Sequence, residues 1–234
     1  MVLVHSRTYL SIQHLLSSAK FTKLTYEIEY GDFPNDNEER QKIFIEQKTF
    51  AIGAIFSVIA FVEANINEFF QDAYEFPSGN IKNLKCEVSK KRLANIWRIG
   101  ALQSNSFSIL DKYNMALAIC DREIFQNGEN ILDNIRNVID LRNTLVHYHP
   151  ETINVTNPYD NKDAVVLRKL QRRLGKKFKL NPLLPNNPFF PDRVLSHGCA
   201  EWCLISCLDL VNNFYDRLEM PIPYEHIKKS LDTR

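Results

Sequence analysis

Apolar residues recur along most of this chain at the three-to-four-residue spacing of a helix that buries one side. A first helix is predicted over 5–29, although Tyr26-Glu27-Ile28-Glu29-Tyr30 alternates as a strand would. Gly31-Asp32-Phe33-Pro34-Asn35-Asp36-Asn37 reads as a turn. A long helix over 37–76 follows, with Ile52, Ile55, Ile59, Val62, Ile66, Phe69 and Phe70 on its apolar face and Pro77-Ser78-Gly79-Asn80 as its stop. Shorter helices are predicted over 89–100 and 107–121, the second capped by Ser106. After the Asn127-Gly128 break, Ile131, Leu132, Ile135, Val138, Ile139, Leu145 and Val146 mark an amphipathic helix from Asn130, which Pro150 ends near His147. Residues 151–195 read as an insertion. It holds a basic helix over 162–174, then four prolines between 182 and 191 that favour an extended loop. A last long helix covers 196–219, ahead of Pro221 and Pro223. The pattern predicts an all-α bundle without internal repeats.

Composition narrows this picture in three ways. The chain has 234 residues, 44% of them hydrophobic and 24% charged, and is read as one domain with only seven glycines to break its helices. A net charge of +1 excludes global steering towards nucleic acid, so any basic surface must be local. Residues 1–16 carry His5, Arg7 and His14 where a secretory signal needs an apolar core. The apolar run Phe50–Val62, bounded by Lys48 and Glu63, falls short of the ~20 residues of a membrane span. With five cysteines in no paired spacing, the expected setting is a reducing cytoplasm with no membrane partner.

The candidate chemistry starts with Arg142. On a wheel turning about 100° per residue it falls inside the apolar row, four residues after Val138 and three before Leu145. A guanidinium there is costly unless it meets an anion or lines a wet cavity. Asn143 follows it directly. His147 lies about 140° round, so either the helix end must swing the imidazole back or a second copy of the chain must complete the site. The plainer alternative is a core Arg paired with an acid beside a solvated His. Glu63, at the border of its helix's apolar face, is a candidate partner for Arg142 or His147, with Asn67 as its substitute; a solvated boundary role fits Glu63 equally. Between 168 and 179, Arg168, Lys169, Arg172, Arg173, Lys176, Lys177 and Lys179 form a patch without an acid, suited to RNA phosphates or else a solvated face. Cys199, Cys203 and Cys207 at i, i+4 and i+8 read as small core residues rather than metal ligands. No metal or other cofactor is expected.

Arg142-Asn143-Thr144-Leu145-Val146-His147 resembles the signature of HEPN domains, all-helical modules with an Arg, a polar residue and then a His. Phe61–Phe70 is similar to that family's preceding core helix. The likeness covers about 37–150 and 196–219, leaving helix 5–29 and insertion 151–195 unexplained. It implies a metal-independent endoribonuclease whose product carries a 2′,3′-cyclic phosphate. Arg142 would hold the phosphate, His147 would move the proton, and Asn143 and Glu63 would assist. The resemblance also implies a homodimer and a setting in toxin–antitoxin systems, defence or RNA processing, with an antitoxin or regulatory protein as a partner. Some toxin members have a modifiable Tyr two residues after the His; here His149 stands in that place and Tyr148 one residue earlier. The alternative is a catalytically silent module that binds RNA, nucleotide or protein and dimerises through the same helix.

Overall fold

A computed structural model describes residues 8–75, 80–100, 102, 107–150 and 165–234, and among these the protein is all-α, with no strand. Helices α1 (Leu10–Tyr30) and α2 (Asn37–Glu75) flank the predicted turn and run antiparallel. Their cross-links show the direction. Tyr9 donates to Asp72, Ser11 Oγ to Glu68 and Ser18 Oγ to the Ala54 carbonyl, while Gln47 donates to Glu29. The buried face of α1 is made mainly of small and polar residues: Ser11, Leu15, Ser18, Ala19, Thr22, Thr25 and Glu29. Small side chains let α2 approach closely, with Ala51 and Ala54 buried opposite. The hydroxyls of Thr22 and Thr25 bond the carbonyls four residues back, Ser18 and Phe21, at 2.8 Å each, so none of that polarity is buried unpaired. Glu68 accepts the Ser11 amide at 2.9 Å and so serves as a distant cap for α1.

The strand-like alternation at 26–30 is overridden because Glu29 has partners inside. Its carboxylate takes the Gln47 amide at 2.6 Å and the backbone N–H of His197 at 2.8 Å. It thereby caps helix α7 (His197–Arg217), together with Ser196, whose hydroxyl accepts from Cys199 N at 3.0 Å. Cys199, Cys203 and Cys207 lie fully buried on α7, as core residues. Further along α7, Phe214 meets Phe69 of α2 edge-to-face at 5.2 Å and Tyr113 at 4.8 Å.

Helix α2 is the hub against which α1, α7 and the next three helices in chain order pack. Its most apolar 18 residues are long enough to cross a membrane, and here half of that stretch is packed inside the protein. Helix α3 (Glu87–Arg98) stacks Trp97 on Phe70, rings 5.7 Å apart. Helix α4 (Ile109–Ile119) starts at a capping box of Ser108 and Asp111, so Ser108 is its cap; Ser106, the expected one, lies outside the described residues. Helix α5 (Asn130–Val146) packs on α7 and α2, and helix α6 (Val165–Leu174) lies on α5.

Within the expected insertion, residues 151–164 lie outside the described ones. The rest is tied into the bundle rather than looped away from it. Leu170, Leu174, Phe189, Phe190, Val194 and Leu195 are buried in the common core. Asn181, 2% exposed, bonds Gln47 at 3.2 Å and the Leu195 carbonyl at 3.3 Å, and Lys48 pairs with Asp192. The Pro-rich segment is held as turns, the last of them kinked at the extended Phe190 and closed by Val194 N donating to the Phe189 carbonyl at 2.8 Å.

Candidate active site at the end of helix α5

Helix α5 buries Leu132, Ile135, Asn137, Val138 and Leu141. Beyond Leu141 it runs out past its neighbours. Arg142, Asn143, Thr144 and Leu145 are half-buried, Val146 is 50% exposed, and His147 is exposed. Arg142 therefore lies along the core row, as its spacing predicts, but on a half-buried turn, with Leu145 beyond it still packed against the core. It is not sealed against a carboxylate. Among the described residues, the side chains of Arg142, Asn143 and His147 make no hydrogen bond or ion pair. The helix ends where predicted: His147 N donates to the Asn143 carbonyl at 2.9 Å, and His147 leaves helical geometry at φ −106, ψ 36. The chain beyond it is anchored by Tyr148, whose ring packs on Phe190 at 5.5 Å. His147 thus lies between the last turn of α5 and the Tyr148–Phe190 ring contact.

Glu63 and Asn67 do not serve this triad. Both turn to Lys112 of α4, whose ammonium lies 3.0 Å from Asn67 Oδ1 and 3.9 Å from Glu63 Oε1. Lys112 is only 5% exposed, sitting among Ile109, Tyr113 and Ala116 on the buried face of α4. A desolvated ammonium needs acceptors, and these two side chains supply them. Lys112 is thus the cation truly set in an apolar row. The sequence signal for it, a Lys three residues after Ile109 and four before Ala116, has the same form as the signal at Arg142.

The basic stretch divides in two. Arg173 donates to Asn137 at 2.7 Å and to Asp140 at 2.6 Å, and Lys177 donates to Asn134 at 2.9 Å. These two cations fasten α6 and the turn after it to α5. Arg168, Lys169, Arg172 and Lys176 have no acidic partner among the described residues, and three of them, Arg168, Arg172 and Lys176, border a shallow recess of about 470 Å³. Both tethers attach to the 134–140 stretch of α5, Arg173 from the last turn of α6 and Lys177 from the turn after it.

The comparisons add no relative: the chain matches no protein-family model, no curated protein and no solved structure. The chemistry of the site must be read from its own groups. An unpaired guanidinium and an amide beside open solvent can hold an anion such as a phosphodiester. An exposed imidazole, unpaired at a helix end, can remove or return a proton.

Proposed function

We propose that this protein is a HEPN-like endoribonuclease that works without a metal ion. The observation that supports this reading most is that Arg142, Asn143 and His147 share one open helix end, unpaired, on the same helix to which the basic α6 is fastened. In the proposed reaction the ribose 2′-oxygen attacks the adjacent phosphorus while the bond from phosphorus to the 5′-oxygen breaks. The products are a 2′,3′-cyclic phosphate and a 5′-hydroxyl. His147 takes the 2′-hydroxyl proton, or gives one to the leaving oxygen. Arg142 neutralises charge building on the phosphoryl oxygens, and Asn143 orients them. The protein acts as a homodimer, because Val146, apolar and 50% exposed beside the triad, offers surface for a second α5 to cover. A cytoplasmic toxin–antitoxin or defence role belongs to the same proposal, as does an antitoxin or regulatory protein partner.

Incubating the full chain with labelled single-stranded RNA in EDTA tests the reading. Cleavage should persist in the chelator and fall by at least about a hundredfold in His147→Ala. RNA that is bound but never cut would replace this reading with the non-catalytic one.

A further inference from the structure

A second concave site lies away from the triad. A pocket of about 410 Å³ opens between the C-terminal end of α1, residues 177–179 and the first half of α7. No α5 residue lines it. Its link to α5 is Lys177, bonded to Asn134, thirteen residues and about 20 Å along the helix axis from His147. A volume of this size matches a small ligand.

Two aromatic pairs face the pocket. Tyr26 and Tyr30 of α1 have ring centroids 4.7 Å apart, and Phe178 and Trp202 have theirs 5.4 Å apart. The His197 imidazole, edge-on to Tyr26 at 4.9 Å, is buried and tied to the Thr233 carbonyl at 3.1 Å. These are flat, partly exposed apolar surfaces inside a recess, a geometry that stacks a planar ring.

The charge of the pocket is positive. Lys177, Lys179 and Arg234 face one acid, Glu201. That acid is occupied, accepting Arg234 at 3.1 Å and the Thr233 hydroxyl at 2.9 Å. Lys179 has no side-chain partner among the described residues. The start of α7 is not what attracts an anion here, since the His197 amide goes to Glu29 and the Cys199 amide to Ser196. An anion must be held by side chains, with Lys179 the free one.

Stacking rings together with an unneutralised ammonium point to one ligand chemistry. We propose that this pocket binds a nucleotide, its base on the Tyr26/Tyr30 and Phe178/Trp202 rings and its phosphate at Lys179, beside Arg234. The nucleotide is either a free mononucleotide or one residue of an RNA strand running along α6. The proposal stands independently of any cleavage at His147.

The test uses the full chain carrying Trp97→Phe, which leaves Trp202 as the reporting indole, and His147→Ala, which keeps RNA intact. Uridine and adenosine monophosphates are titrated against inorganic phosphate, the free nucleosides and a 5′-phosphorylated single-stranded tetranucleotide. Saturable change in Trp202 fluorescence is expected with the mononucleotides, with the tetranucleotide, or with both, and whichever binds more tightly identifies the source. Phosphate alone and nucleoside alone should bind at least about tenfold more weakly. Lys179→Ala and Tyr30→Ala, both at exposed positions, should each raise the dissociation constant about tenfold with an unchanged melting temperature. No saturable change with any nucleotide, equal binding of phosphate alone, or full affinity in both variants would overturn the proposal.

Discussion

Lys112 and Arg142 are both cations placed in apolar rows, and the structure gives them opposite fates. Lys112 is enclosed and depends on Asn67 and Glu63, whereas Arg142 is half-buried and unpaired. A helical wheel gives a side chain's direction but not how far along the helix its neighbours extend, so the sequence could not separate the two. The difference is measurable by chemical denaturation. Asn67→Ala should lower stability by about 1.5 kcal/mol, because a buried ammonium loses its nearest acceptor. Arg142→Ala should change it by less than about 0.5 kcal/mol. Comparable losses would mean that Arg142 is also a structural cation.

Glu29 allows a second test at this scale. Burial pushes its carboxyl from the ordinary 4.5 up to about 7, with the bonds from His197 N and Gln47 acting in the other direction. The folded state therefore holds a proton that the unfolded chain has lost between those pH values. It follows that Glu29 makes the protein progressively less stable as pH rises from about 4.5 to about 7, with no further change above that. Glu29→Gln should remove a loss of on the order of 3 kcal/mol across that window. Glu68, raised by burial, and His197, lowered by burial, titrate in both proteins, so the difference between parent and variant reports Glu29. Parallel stability curves for the two would contradict the assignment.

At the level of elements, most of the helices were legible because hydropathy repeats with their period. The predicted 37–76, 89–100 and 107–121 match α2, α3 and α4 to within two residues at each boundary, and the Asn130 start and His147 end of α5 were also readable. Less legible was the buried face of α1, because serines and threonines do the packing there and carry no hydrophobic signal. The anchoring of 175–195 was equally hidden. It depends on Asn181, Gln47 and a close backbone approach at Gly198, none of which has a periodic signature. A Cβ on Gly198 would come within 2.4 Å of the Lys179 carbonyl oxygen. Gly198→Ala should therefore force the two segments apart and cost about 2 kcal/mol by denaturant titration, and an unchanged midpoint would refute that packing.

The division of the α6 cations also belongs to this scale. Neutralising Arg168, Lys169, Arg172 and Lys176 together should weaken RNA binding and flatten its dependence on salt, as counterion release requires. Arg173→Ala should instead speed hydrogen exchange across α6 by releasing it from α5. If the fourfold variant keeps the parental salt slope, α6 is not an RNA-binding surface.

For the molecule as a whole, the proposed activity joins three parts carried on or against α5. These are a triad at its open end, a basic helix fastened to it through Arg173, and the exposed Val146 suited to a second copy. The Arg-to-His spacing was legible in sequence; that the triad is open and unpaired was not, since this depends on where the other helices stop. The measurement that bears most directly on the central claim is the chemistry of the RNA ends. The parent protein in EDTA should leave fragments ending in 2′,3′-cyclic phosphate, with 5′-hydroxyls on their partners, and Arg142→Ala and His147→Ala should leave none. Fragments with 3′-hydroxyl and 5′-phosphate ends, or cyclic ends produced equally by all three proteins, would contradict it.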